Sequence, residues 1–239
     1  MGRAFEVRKA SMMKTSIAKA KVYTKHSRAI YLAAKAGVPD PDNNTTLRRE
    51  VDKAKKNQVP ADTIKRAIDK AKNNSGEDFV AMRYEGFGPG QVTVIVDCLS
   101  DNANRTVSEV KNCFTKSNSK MGVSGSVSHM YDELAVAAFA GEYDEEELLD
   151  NLLEHDVEPE DIEFEDGMVT VYAAKDQFNN LMTALEDSYP DISFEMSEIT
   201  MLPQFQTKIT SDEEQKDFDK LMDMLNECDD VQEVYHNVK

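Results

Sequence analysis

The chain has 239 residues, 28 Lys and Arg against 45 Asp and Glu, and a formal net charge of −17. This length can hold one large domain or two to three small domains around real cores. No apolar run approaches the roughly 18–20 residues of a membrane span, and no signal-peptide core is evident, so we expect a soluble, cytoplasmic protein. The three cysteines are widely spaced without a CxxC motif. They favour reduced thiols over a disulfide framework or a zinc ribbon.

The charge is distributed very unevenly along the chain. Residues 1–76 carry 18 Lys and Arg against 7 acids, whereas residues 77–239 carry 10 against 38. A polyanion such as DNA or RNA is attracted to the first part and repelled by the second. This pattern favours an oriented nucleic-acid binder over a pocket enzyme. The alternative is that the basic segment docks on the acidic body of the same chain.

The basic part, 1–76, is predicted to form three helices. The first spans 17–36 and ends at Gly37, the second spans about 44–57 with Asn44 or Thr45 as its N-cap, and Pro60 opens the third. Helices this short are marginal alone, so they should pack as a bundle. Their polar sides carry the residues expected to contact phosphates: Lys21, Lys25, Arg28, Lys35, Arg49, Lys53, Lys56, Lys65, Arg66 and Lys70.

Beyond a predicted hinge at 73–76, the pattern alternates between strands and helices. We expect a strand at 91–99, a helix at 102–117 and a strand at 123–130. Residues 132–202 then read β-α-β-β-α-β, which is the ferredoxin-like order. A helix at 211–227 and a strand at 231–236 follow. The predicted fold class is therefore α+β: an N-terminal three-helix bundle, then two ferredoxin-like α/β domains. The acidic domain at 132–202 is inserted into a discontinuous one built from 77–131 and 203–239.

Candidate chemistry is sparse in this sequence. Gly86–Gly90 contains GxGxG, but the motif precedes a strand instead of joining a strand to a helix, so we interpret it as a turn rather than a dinucleotide site. The four histidines share no metal-ligand spacing, and no nucleophile stands out with a base. We therefore expect no catalytic residue, no metal, no cofactor and no small-molecule substrate.

Residues 102–106 join a strand to a helix. Asn102 can cap that helix, and free N–H groups at a helix start favour anions. Asn104 and Arg105 could then contact a phosphate or a partner together with Asn102. An ordinary capped helix with an exposed arginine explains the same residues equally well.

Several motifs taken together resemble the YebC/PmpR family of transcriptional regulators, whose mitochondrial relative is a translational activator. The matching pieces are Tyr23-Thr24-Lys25, Ser27-Arg28, Asp40-Pro41, Leu47-Arg48, Arg66-Ala67-Ile68, the heptapeptide YEGFGPG at 84–90, Asn102 with Asn104-Arg105-Thr106, and Gly125-Ser126-Val127. The chain departs from the usual pattern at Arg3-Ala4-Phe5-Glu6 and at Val38-Pro39. The resemblance implies three domains and nucleic-acid binding through the basic side, without enzymatic activity.

Two functions remain open at this point. The leading hypothesis is a DNA-binding regulator of transcription. The alternative is a ribosome-associated translation factor that binds ribosomal RNA. Six engaged cations would give a salt slope near −5 on duplex DNA, at about −0.9 per phosphate. Lysine-rich contacts of this kind position a protein more than they read sequence. No membrane partner is expected in either case.

Overall fold

The structure is a computed structural model that describes residues 19–72 and 79–239, with side chains from Val22 onward. The predicted hinge at 73–76 lies outside these residues. Seven α-helices occur in the described part: α1 Lys19–Ala36, α2 Thr45–Lys56, α3 Ala61–Lys72, α4 Ala103–Lys116, α5 Glu145–Glu154, α6 Phe178–Ser188 and α7 Asp212–Glu227. Eight strands accompany them: β1 Val80–Phe87, β2 Thr93–Ser100, β3 Lys120–Met121, β4 Tyr131–Ala140, β5 Pro159–Glu165, β6 Met168–Ala174, β7 Phe194–Pro203 and β8 Val231–His236.

Helices α1, α2 and α3 form the predicted bundle. Asn44 caps α2, because its side chain accepts a hydrogen bond from the Leu47 amide at 3.0 Å. The Pro60 carbonyl accepts from the Thr63 and Ile64 amides at the start of α3. The apolar stripes then meet in one core formed by Ile30, Ala33, Ala34, Leu47, Val51, Ala54, Val59, Ile64 and Ala67. The polar sides of the three helices lie outside this core.

The first sheet has the strand order β3-β1-β2-β8, and all of its pairs are antiparallel. Residues of α4, α7 and β2 share one buried core that includes Val94, Phe114 and Leu221. Strands β1 and β2 form a β-hairpin, in which β1 pairs with β2 along its whole length. Gly90 lies in the hairpin loop at φ +62°. Of the turn predicted at Gly86–Gly90, the last three residues lie in this loop, whereas Gly86 and Phe87 end β1.

Tyr131–Gln204 forms a compact unit of its own, separate from the unit that holds the helical bundle and the first sheet. Its sheet has the antiparallel order β5-β6-β4-β7. The chain order through α5 and α6 is β-α-β-β-α-β, and the two helices pack on a core centred on Phe139, Leu148 and Leu181. The α+β fold class with N-terminal helices and two sheet domains is confirmed.

One predicted strand was wrong. Residues 124–127 form a turn followed by bends, and Ser128–Met130 form a single 3-10 turn, instead of the predicted strand at 123–130. The cause is Glu85, a buried residue of β1 whose carboxylate accepts hydrogen bonds from the amides of Gly125, Val127 and Ser128 at 2.7–2.9 Å. Three amides that converge on one carboxylate cannot also form a strand ladder. Gly125 adopts φ +83° within this loop.

Across residues 19–72 and 79–239, no helix combines the length and apolar character that crossing a membrane requires.

Candidate nucleic-acid interface

The helical bundle carries most of the basic side chains that the sequence nominated. Five of the ten are exposed, and we call them the exposed basic set: Lys35, Lys56, Lys65, Arg66 and Lys70. Arg49 is half-buried, as is Lys53, whose Nζ lies 3.4 Å from Glu50 Oε1. Lys21 belongs to α1, but its side chain lies outside the described residues. Residues 19–72 hold 14 Lys and Arg against six acids, so the bundle is strongly cationic.

Two lysines of the exposed basic set converge on one aromatic ring. Lys35 Nζ lies 5.7 Å and Lys70 Nζ 5.9 Å from the centroid of Tyr31, which is only 3% exposed. The face of an aromatic ring attracts cations, so two like charges from α1 and α3 can be held in one region. Two ammonium groups brought together in this way attract an anion more strongly than either alone.

Lys25 and Arg28 differ from the exposed basic set because they contact backbone carbonyls of the first sheet and of the turn before β8. Lys25 Nζ donates to the Gln232 carbonyl at 2.7 Å, and Arg28 Nη1 donates to the carbonyls of Asp229 at 2.6 Å and Leu99 at 3.2 Å. Both were predicted to contact phosphates because a helical wheel distinguishes only a buried and a polar face. In the structure, α1 has a further side that meets the first sheet. These two cations therefore attach the bundle to the sheet, and they are not part of the exposed basic set.

The attachment centres on Asp230, which is 2% exposed. Its carboxylate accepts from Ser100 Oγ at 2.9 Å and Thr106 Oγ1 at 2.8 Å, and it pairs with Arg105 Nη2 at 2.9 Å and Arg28 Nη1 at 3.3 Å. Burial alone would raise the pKa of Asp230. The hydrogen bonds from Thr106, Ser100 and Arg105, with the arginine charge, outweigh burial and hold that pKa below its ordinary value.

The Asn102–Thr106 segment is accounted for largely by this network. Asn102 caps α4 by accepting from the Arg105 amide at 3.0 Å. The guanidinium of Arg105 binds Asp230 and also Asp101 at 2.9 Å. Asn104 lies exposed in the first turn of α4. Of the two interpretations left open for this segment, the geometry favours a capped helix whose arginine serves an internal ion pair.

Three further cations of the bundle are exposed, Arg48, Lys55 and Lys72, which were not among the predicted phosphate contacts. The signal for Lys72 was present, because it follows the nominated Lys65 by seven residues and so shares its side of α3. Lys55 Nζ lies 3.0 Å from Asp52 Oδ1, so this cation already has an exposed partner. Surface pairs of this kind are weak and exchange readily for other anions.

Other chemistries find little support in the described part of the chain. No group of three or more His, Cys, Asp or Glu side chains there could hold a metal ion. Burial lowers the pKa of His26, and its Nε2 lies 2.8 Å from Asn57 Nδ2. A neutral ring occupied by an amide is poorly suited to binding phosphate.

Comparison with known proteins places this arrangement in a family. Residues 3–74 match the TACO1/YebC protein N-terminal domain, and residues 79–238 match the TACO1/YebC second and third domain. The chain belongs to the TACO1/YebC family. Among its relatives, a probable transcriptional regulatory protein of Alteromonas mediterranea is 59% identical over 99% of this chain and 98% of its own length. A probable transcriptional regulatory protein of Vibrio parahaemolyticus is 52% identical over the full length of both.

A solved structure shows the same fold. The crystal structure of a conserved hypothetical protein from Aquifex aeolicus superposes with a TM-score of 0.75 at 33% identity. The match covers 94% of this chain and 92% of the other. The structural similarity therefore extends over nearly the whole chain, and the family itself is shown by the two family models.

Proposed function

We propose that this member of the TACO1/YebC family is a nucleic-acid-binding regulator of gene expression, in the leading case a DNA-binding transcriptional regulatory protein. The observation that carries the proposal is the exposed basic set on a cationic three-helix bundle. Lysine and arginine side chains on helices bind the phosphate backbone and release its counterions. The names of the relatives from Alteromonas mediterranea and Vibrio parahaemolyticus support a role in transcription.

The charge of the unit Tyr131–Gln204 supports an oriented mode of binding. It contains 22 Asp and Glu and only one Lys or Arg, which is Lys175. The Nζ of Lys175 lies 2.6 Å from Glu133 Oε2. Such a surface repels phosphates over a Debye length of about 8–10 Å. The nucleic acid would accordingly meet the bundle and avoid this unit.

Specificity in this mode should be modest. The exposed basic set consists of four lysines and one arginine, and Arg66 pairs with Asp62 one helical turn away. Lysines position a protein on phosphates, whereas sequence is read mainly by bidentate Arg, Asn or Gln contacts to base edges. Binding without catalysis fits this site, since its charged groups include no nucleophile paired with a base.

The test is charge reversal on the bundle, measured by fluorescence anisotropy on a labelled duplex. We expect the triple variant Lys35→Glu, Lys65→Glu, Lys70→Glu to weaken binding by more than tenfold, because three attractive charges become repulsive. A matched control reverses three exposed lysines of the sheet domain: Lys111, Lys216 and Lys220. Equal losses for the two triple variants would refute the proposal that the bundle is the binding surface.

The acidic unit also favours a second candidate, a translation factor that binds ribosomal RNA. A large ribonucleoprotein presents phosphates over a wide area, and a unit with 22 acids would be kept at its periphery. Sucrose-gradient sedimentation of a native lysate, with and without RNase, distinguishes the two targets. Co-migration with ribosomal particles that RNase abolishes would favour this candidate. Residence at the top of the gradient would favour DNA.

A further inference from the structure

The bundle contains a groove that phosphate binding does not require. It runs along α3 and is closed by the loop between α1 and α2 and by residues of α2 and the α2–α3 connection. Its volume is about 330 Å³. The apolar lining consists of Pro39, Pro41, Val51, Val59, Ala61, Ile64 and Ile68.

One stripe of α3 explains how the groove arises. Ala61, Ile64 and Ile68 recur at helical spacing and supply its apolar side, while the exposed residues Lys65 and Lys72 line the same groove. Ile64 is part of the bundle core, yet it still lines the groove with 7% of its surface exposed. The groove is therefore a recess between α2 and α3 at the edge of the bundle core.

The margin of the groove is predominantly cationic. Lys55, Lys65 and Lys72 line it, opposed by one acid, Asp69. Lys55 is engaged with Asp52, whereas among the described residues neither Lys65 nor Lys72 lies within ion-pair distance of a carboxylate. An occupant that matches both features has an apolar body and negative charges at its edges.

We propose that this groove holds an unpaired nucleotide of a single-stranded stretch of nucleic acid, with its base against the apolar lining and its flanking phosphates near Lys65 and Lys72. This inference rests on the proposed function and deepens it. Pockets for drug-sized ligands begin at about 300 Å³, so the groove is of the size for one or two rings. Unpaired bases are held between apolar and aromatic side chains, and the saturated rings of Pro39 and Pro41 offer apolar faces against which a base can pack. A base inside a duplex could not enter.

The experiment compares two single-stranded oligonucleotides of equal length, one complete and one abasic at every position, by fluorescence anisotropy with the full-length protein. Both carry the same phosphates, so any difference reports the bases. We expect the complete strand to bind about tenfold more tightly, which corresponds to about 1.4 kcal/mol and lies within the range for one stacked base. RNA and DNA versions of both strands show which of the two supplies the nucleotide.

A groove-filling variant assigns the difference to this location. Ala61→Phe places a ring at the groove from an exposed first position of α3 without changing charge, and Ala103→Phe makes the same change at the exposed first position of α4. We expect only Ala61→Phe to abolish the preference for the complete strand while abasic binding persists.

Equal binding of complete and abasic strands by the unmodified protein would overturn the groove assignment and leave nucleic-acid binding intact. The groove would then suit an acidic, apolar peptide better. A preference that survives Ala61→Phe would overturn the assignment as well. Failure of every strand and of duplex DNA to bind at low salt would overturn the proposed function together with this inference.

Discussion

Replacing Asp230 with Asn tests how the bundle is attached to the first sheet. The amide retains one oxygen, so it can still accept from Ser100 and Thr106, which approach the same carboxylate oxygen. The NH₂ group then replaces the other oxygen and faces Arg28, and both arginines lose their buried counter-charge. Asp230→Asn therefore removes charge while it preserves shape.

The stability lost in Asp230→Asn depends on how exposed its partners Arg28 and Arg105 are. Removing one member of a buried ion pair costs about 3–5 kcal/mol. The side chains of Arg28 and Arg105 remain 16% and 42% exposed, so water relieves part of their loss and we expect about 3 kcal/mol, the lower end of that range. For a unit of this size, that corresponds to a decrease in Tm of about 9 °C.

Circular dichroism at pH 7 measures this decrease, because five of the seven described helices lie in the unit that contains Asp230. Asp229→Asn is the matched control, since it removes the same charge from the exposed neighbouring side chain. It should change the Tm little, as surface substitutions usually stay within about 0.5 kcal/mol. A Tm for Asp230→Asn equal to that of the control would refute the reasoning.

The pH dependence supplies a second criterion. The pKa of Asp230 is lowered in the folded protein, so its contribution is complete above the ordinary pKa of an unfolded Asp, about 3.9, and is lost as pH falls through the folded value. The Tm difference between the unmodified protein and Asp230→Asn should therefore be constant from pH 6 to 8 and shrink in acid. A difference that widens as pH falls would contradict this assignment.

Three further predictions concern the first sheet. Glu85→Gln should lower the free energy of unfolding by about 2 kcal/mol in urea titrations, because one oxygen cannot serve three amides; an unchanged midpoint would contradict the loop's dependence on this carboxylate. Gly86→Ala should cost about 1–3 kcal/mol in the same titration, since the new Cβ would lie 2.5 Å from Phe114 Cε1 and 2.8 Å from the Lys120 carbonyl oxygen, and full stability would contradict this close packing. Burial raises the pKa of Cys98 to about 12, so the folded protein should resist iodoacetamide at this residue at pH 8, and rapid labelling detected by mass spectrometry would argue against it.

The sequence predicted the helices well because their signals are local. Asn44 as an N-cap and Pro60 as a helix opener define ends within one or two residues of those observed. The order β-α-β-β-α-β in the acidic unit was equally predictable, because its central strands β4 and β6 are apolar runs and its helices carry apolar stripes.

What the sequence could not supply were contacts between distant residues. The segment 123–130 has strand-like composition, but its amides donate to the side chain of Glu85, about 40 residues earlier, and this long-range contact is not visible in the sequence. Lys25 and Arg28 look like their basic neighbours on a helical wheel, and their different role depends on carbonyls near residues 229–232. A cation's partner is decided by tertiary structure, which charge periodicity alone does not reveal.

The most direct test of nucleic-acid binding by the bundle is the salt dependence of affinity for a duplex DNA fragment. If the five members of the exposed basic set each neutralise one phosphate, log K should fall against log[salt] with a slope of about −4.5. The variant Lys35→Glu, Lys65→Glu, Lys70→Glu should flatten that slope to about −2. A slope near zero for the unmodified protein, or the same slope in both proteins, would contradict the account.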